Sequence, residues 1–162
     1  DNLVSLHLGK NEITNKGVVA LMKVSFPALK SLWLSINKIK IDNEKDVGDE
    51  AMKAISEAHL PNLETLWLSF NHITGKGLDY LHKKIGATSK VAFSRKSFGP
   101  HGAEALAKGD WPNLIKLQIY DCSLGDEGIR NLVKNPWPKV KELTYVTYEF
   151  NLANNGIGDL GI

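Results

Sequence analysis

A Leu-x-Leu pattern followed three positions later by Asn is the most regular feature of the chain. It is clearest in the stretches SLWLSINKI (Ser31–Ile39) and TLWLSFNHI (Thr65–Ile73). Alternation of apolar and polar positions is typical of a strand that buries one face. Beyond the turn, apolar residues recur at helical spacing, as in Val18, Leu21 and Met22. Each unit therefore predicts a strand, a turn and a helix.

This unit returns along the whole chain. The second core position of the predicted strands falls on Leu8, Leu34, Leu68, Phe93, Ile119 and Tyr145. The spacing is about 26 residues, with one longer step. A single unit cannot bury its own apolar face, so the units must stack, with strands paired in parallel and helices packed behind them. We predict one α/β solenoid domain of about six repeats over residues 1–162, with repeats near 3–28, 29–62, 63–87, 88–113, 114–139 and 140–162.

These residues resemble the leucine-rich repeat family, and the Gly-x-x-x-Leu segment with a period near 26 is similar to its ribonuclease-inhibitor-like subclass, found in intracellular proteins. The resemblance implies a curved horseshoe with a parallel β-sheet on the concave face and helices on the convex face. It also implies an internal ladder of side chains that hydrogen-bond the turn backbone, namely Asn11, Asn37, Asn71, Cys122 and Asn155. Lys96 interrupts this ladder, so we expect the fourth repeat to be irregular there.

Two repeats carry extra residues just after the strand, at 38–46 and around 146–154. Loops at equal phase of a stacked array lie on one edge, so we expect a shared rim beside the strand face. Tolerated surface loops are the alternative interpretation. Neither end carries a recognisable polar capping unit, which a solenoid needs. We therefore expect a piece of a longer array, with self-association through the uncapped ends as the alternative.

Composition and charge narrow the class of function. With 43% hydrophobic residues the chain is ordinary for a globular domain. A net charge of +2 is spread along the sequence, so neither nucleic acid nor a membrane surface is indicated as a partner. One Cys, no glycosylation sequon, no signal-peptide pattern and no apolar run of about 18 residues favour a cytoplasmic, intracellular location.

No set of residues indicates catalysis or a cofactor. The segment Gly156–Gly161 matches the dinucleotide motif G-x-G-x-x-G, but the repeat consensus explains its glycines. The segment Asp42–Asp46 lacks the Gly and Glu of a calcium loop, and the histidines show no zinc spacing. Cys122 falls on a ladder position, where a buried structural thiol is a better interpretation than a nucleophile. We predict a protein that is not an enzyme and binds neither cofactor nor metal.

Two tryptophans in the same position of neighbouring strands indicate a binding surface. If Leu32 and Leu34 point into the core, Trp33 points out onto the concave face, and the same holds for Trp67. The column between the two core positions reads His7, Trp33, Trp67, Ala92, Gln118 and Thr144. Parallel strands lie about 4.8 Å apart, which makes the tryptophans neighbours. The predicted partner-binding residues are Trp33, Trp67, Ile36, Phe70, His7, Lys10, Arg95, Lys116, Gln118 and Tyr120.

An apolar group on a face that no further layer covers predicts a hot spot for another protein. Alternatively, the tryptophans only stack on each other or lie beneath the insertion at 38–46, because aromatic cross-strand pairs stabilise sheets by about 0.2–1 kcal/mol. Trp111 and Trp137, each before a Pro, are expected to pack as structural lids. We predict a non-catalytic scaffold that binds a protein partner on the concave face. A regulatory part of an enzymatic system, of GTPase-activating or ubiquitin-ligase-adaptor type, and a structural spacer remain open.

Overall fold

Five strand–helix units follow one another in the computed structural model, which describes residues 2–37, 48–82, 89–94 and 98–137. The elements are β1 (Ser5–His7), α1 (Asn15–Leu21), β2 (Ser31–Trp33), α2 (Asp49–Glu57), β3 (Thr65–Trp67), α3 (Gly75–Leu81), β4 (Lys90–Ser94), α4 (Gly99–Lys108), β5 (Lys116–Tyr120) and α5 (Gly125–Leu132). The predicted sixth repeat, both insertions, the calcium-like and dinucleotide-like motifs, Lys96 and Asn155 lie outside the described residues.

The strands form one parallel sheet in chain order, β1-β2-β3-β4-β5. Each strand pairs with the next in the register that the repeat predicts. His7 lies opposite Trp33, Trp33 opposite Trp67, Trp67 opposite Ala92 and Ala92 opposite Gln118. The predicted column between the core positions is therefore confirmed as far as Gln118.

Alternation along the strands divides each one between core and surface. Leu32, Leu34 and Leu66 are 0% exposed, whereas Trp33 between the two leucines of β2 is 38% exposed. The helices supply the other wall of the core, since α2 buries Ala51, Met52 and Ile55 and the neighbouring helices bury residues at equivalent positions. Removal of this apolar surface from water is the main stabilising contribution, at about 25 cal/mol per Å².

The two layers of the stack need different amounts of room. Paired strands lie about 4.8 Å apart, whereas packed helices need about 8–10 Å between their axes. Each element packs chiefly on the same kind of element in the next unit, helix on helix and strand on strand. A stack that is wider on its helical side must bend towards its sheet, so the strands occupy the inner, concave side. The prediction of an α/β leucine-rich repeat solenoid is confirmed.

Asparagine side chains join successive units where the strands end. Nδ2 of Asn37 donates to the carbonyls of Leu34 (2.8 Å) and Leu8 (2.9 Å). Nδ2 of Asn71 donates likewise to Leu68 (3.0 Å) and Leu34 (2.8 Å), and its Oδ1 accepts from the backbone N–H of Asn37 (3.1 Å). Each amide thus ties its own turn to the preceding one, and the predicted ladder is confirmed for Asn11, Asn37 and Asn71.

The remaining predicted structural residues also hold the units together. Cys122 is 0% exposed, and its Sγ donates to the carbonyl of Tyr120 at 3.4 Å, which confirms a buried structural thiol. Trp111 is 2% exposed and its indole N–H donates to the carbonyl of Leu106 at 2.8 Å. The indole N–H of Trp137 donates to Leu132 at 2.9 Å. Both tryptophans therefore close the end of the preceding helix, as predicted.

Candidate functional site

Three aromatic rings form a continuous stack on the outer face of the first three strands. We call His7, Trp33 and Trp67 the aromatic row. The ring centroids of Trp33 and Trp67 lie 5.2 Å apart with 29° between their planes. Those of His7 and Trp33 lie 4.6 Å apart with 33° between planes. The parallel register places one ring on each strand, so the spacing of the sheet itself brings the rings into contact.

Side chains two positions earlier on the same strand face hold two of these rings in place. The indole N–H of Trp33 donates to Oγ of Ser31 at 2.6 Å. Oγ of Ser5 and Nε2 of His7 lie at hydrogen-bond distance, 2.8 Å. The indole N–H of Trp67, in contrast, makes no hydrogen bond to any residue that the structure describes. Because Trp67 is half-buried rather than buried, this donor is available to solvent or to a bound molecule.

Lys116 lies against the aromatic row from the side of β5. Its Nζ is 5.5 Å from the centroid of the Trp67 ring, a distance suited to a cation–π contact. At the level of Trp67 the intervening strand presents the small side chain of Ala92, which lets Lys116 reach across. The sequence predicted Lys116 as a partner-binding residue, but the residue is only 7% exposed. Lys116 is therefore largely covered, with its ammonium group near the ring of Trp67.

A second row of side chains stands at the turns that follow the strands. We call Lys10, Ile36 and Phe70 the corner residues. Their φ angles are 58°, 57° and 61°, in the left-handed region. A β-branched residue such as Ile is a rare occupant of this region, which costs an L-residue about 1–2 kcal/mol. Ile36 is nevertheless retained there, 50% exposed, beside Phe70, which is 44% exposed.

Backbone hydrogen bonds keep the corners in this conformation. The N–H of Lys10 donates to the carbonyl of Ser35 at 2.9 Å, and the N–H of Ile36 donates to the carbonyl of Ser69 at 2.8 Å. These backbone hydrogen bonds thus fix the turns at Lys10 and Ile36 irrespective of the corner side chain. An unfavourable residue at a position that the fold holds regardless is a reason to look for a role outside the fold.

We expect Ile36→Asn to raise the free energy of unfolding by about 0.5–1 kcal/mol, because Asn adopts the left-handed conformation more readily than a β-branched residue does. Chemical denaturation followed by circular dichroism measures the change. Ile115→Asn is the matched control, since Ile115 is 54% exposed and is not among the residues of positive φ. A similar gain in both variants would contradict the explanation by backbone strain.

The structure brings together most of the predicted site. The aromatic row and Lys116 contact one another, and the corner residues stand beyond the ends of the same strands. Gln118 continues the column on β5, half-buried, and Tyr120 on that strand is 42% exposed. Arg95 lies outside the described residues. The left-handed corners carried no sequence signal, because neither Ile nor Phe marks such a turn.

Other kinds of site find no support in residues 2–37, 48–82, 89–94 and 98–137. No group of His, Cys, Asp and Glu side chains there could hold a metal ion. Within the same ranges, each helix is too short or too polar to traverse a bilayer.

Comparison with known proteins agrees with the architecture. A family model described as Leucine Rich repeat matches residues 2–22 and 59–81, which carry the first and third strand–helix units. No protein in the curated set matches the chain. Assignment to the ribonuclease-inhibitor-like subclass stays a prediction. The matching segments, the parallel sheet in chain order and the asparagine ladder together show that the chain belongs to the leucine-rich repeat family.

Proposed function

We propose that this protein is a non-catalytic recognition scaffold that binds a protein partner on its concave strand face. The observation that carries the proposal is the exposure of large apolar side chains in one place. Trp33 is 38% exposed, Ile36 50% and Phe70 44%. Among the described residues, no helix or strand packs on this face of the sheet. Contiguous exposed apolar surface of this kind is typical of sites of protein–protein interaction.

The aromatic row is also suited to binding because it is already ordered. Trp33 is held between two rings and by Ser31, so little side-chain entropy remains to be lost when a partner covers it. Aromatic residues in such positions commonly dominate the energetics of an interface. The family to which the chain belongs generally mediates protein–protein interactions, which further supports the proposal.

The proposal also covers the location of the protein in the cell and the extent of the repeat array. We propose a cytoplasmic protein, which the single, buried Cys122 supports. We also propose that the described units form part of one longer array.

The test is capture of a binding protein by the immobilised chain, compared between the wild type and a Trp33→Ala/Trp67→Ala double variant. We expect the variant to keep its circular dichroism spectrum and to lose the captured protein, because its core residues are untouched. Val133→Ala is the control, since Val133 is 71% exposed and lies just after α5. Undiminished capture by a folded double variant would refute binding through the aromatic row.

A further inference from the structure

The described part of the strand face is positively charged and has no acidic residue in its strands. The strands β1 to β5 contain Lys90 and Lys116 but neither Asp nor Glu, and Lys10 follows at the first corner. Lys116 is already engaged with Trp67. Glu64, directly before β3, pairs with Lys30 at 3.0 Å, so its charge is committed. Among the described corners only the one after β5 carries an acidic residue, Asp121. Lys10, Lys90 and Lys116 outnumber it, so the local charge on this face is positive, although the whole chain carries only +2.

Lys10 and Lys90 differ from the other cations of this face. Both are exposed, and neither forms an ion pair with a residue that the structure describes. Unpaired lysines are common on protein surfaces, so their exposure alone indicates nothing. Their positions relative to the aromatic row are informative, because they lie on opposite sides of it.

The register of the sheet gives these positions. Lys90 pairs with Thr65, which lies level with Ser31 and Ser5, so Lys90 stands three strands away from Ser5. At about 4.8 Å per strand this is about 14 Å across the sheet, and the five positions from Ser5 to Lys10 add about 17 Å along the strands. The backbone positions of the two lysines therefore mark the ends of a diagonal of about 22 Å.

The middle of that diagonal falls between β2 and β3, at the level of Trp33 and Trp67. The face thus presents a cation, an apolar centre and a second cation along one line. A ligand that matches this order carries a negative charge, an apolar group and a second negative charge. An extended segment covers about 22 Å with about seven residues, and a helix with about fifteen.

We propose that the partner presents an acidic segment in which carboxylates flank an aromatic or aliphatic side chain. This inference rests on the proposed function and specifies its partner. The apolar side chain lies on Trp33 and Trp67, where the unused indole N–H of Trp67 donates to a carbonyl or carboxylate oxygen of the segment. The carboxylates lie near Lys10 and Lys90, where they add specificity and speed the encounter more than they add affinity.

A single-stranded nucleic acid also combines negative charge with rings that stack. Ile36 argues against it, since it extends the apolar surface with an exposed aliphatic group, and the two tryptophans already stack on each other. An oligothymidine competitor is therefore included in the test as the other occupant.

The experiment is selection of peptides from a phage-displayed library of about 16 random residues, long enough to cover the diagonal even as a helix. The bait is the full chain, and selected peptides are synthesised for titration by fluorescence anisotropy. We expect peptides with Asp or Glu on both sides of an aromatic or aliphatic residue. Lys10→Gln and Lys90→Gln should each weaken them by up to about fivefold, as for other exposed charge pairs.

Charge reversal gives a sharper result. The Lys10→Glu/Lys90→Glu variant should lose the acidic peptides and select basic ones instead. Lys16→Glu/Lys76→Glu is the matched control, because it changes the net charge equally at exposed positions of α1 and α3. We expect this control to bind as the wild type does.

Several outcomes would overturn the proposal. They are no enrichment of peptides, selected peptides without acidic flanks, equal loss in the two charge variants, or displacement by oligothymidine. Sedimentation of the bait measures its oligomeric state. A dimer that forms through the strand face would also overturn the proposal. If neutral peptides are selected and Trp33→Ala/Trp67→Ala abolishes their binding, the acidic specificity fails but the proposed function stands. If binding is indifferent to the tryptophans, both fail.

Discussion

Replacement of Asn71 by alanine should lower the free energy of unfolding by about 2–5 kcal/mol. Asn71 is 3% exposed and serves two turns at once. Its loss removes the donor to the carbonyl of Leu68 and the acceptor for the N–H of Asn37. Each buried polar group left unsatisfied costs about 1–3 kcal/mol. At the protein surface, water could satisfy the groups that lose their partner, but this buried site admits little water.

The size of this loss is best judged against Asn11→Ala, in the same ladder. Asn11 is exposed, and the carbonyl of Leu8 to which it donates also accepts from Asn37 at 2.9 Å. We therefore expect Asn11→Ala to cost no more than about 1 kcal/mol. Chemical denaturation of both variants measures the difference. Equal losses would mean that the ladder does not stabilise the array through its buried members.

Trp67→Ala should weaken binding of the partner, or of a selected peptide, by about 2–4 kcal/mol, which is about thirtyfold to a thousandfold in Kd. Trp67 is the centre of the proposed site because Trp33 stacks on it from β2 and Lys116 approaches it on the same face from β5. Replacement of Trp67 by alanine removes the ring that both Trp33 and Lys116 contact. Trp67→Phe keeps a ring but not the indole donor, so we expect an intermediate loss.

Isothermal titration calorimetry measures these affinities, with circular dichroism as the check on folding. Val24→Ala is a suitable control, because Val24 is 52% exposed in the turn after α1 and should change the binding free energy by less than about 0.5 kcal/mol. A Trp67→Ala variant that binds within the error of the wild type would remove the aromatic row from the interface.

The fold was largely predictable because the pattern repeats. Leu32 and Leu34 point inwards and Trp33 outwards by the geometry of any strand, and equal position in successive units places Trp33 beside Trp67. The pairing of strands follows from the stacking of units that cannot bury their own apolar face. The contact between the two tryptophans, the centre of the site, was therefore predictable from the sequence.

Other features of the site depend on interactions that no local pattern encodes. The left-handed conformation of Ile36 is held by a backbone hydrogen bond to the next unit, against the preference of the residue itself. The burial of Lys116 depends on the small size of Ala92 in the strand between it and Trp67. The hydrogen bond from Trp33 to Ser31 depends on a rotamer. Each is decided by neighbours in three dimensions.

Alternation along the strands also separates the residues that stabilise the fold from those that a partner would contact. In and just after β2, Leu32 and Leu34 are part of the core and Asn37 is part of the ladder, whereas Ser31 and Trp33 belong to neither. Residues of the two sets alternate along the strand. Substitutions on the outer face can therefore exchange one specificity for another while the architecture is inherited unchanged, and the same scaffold can serve as a template for engineered binders.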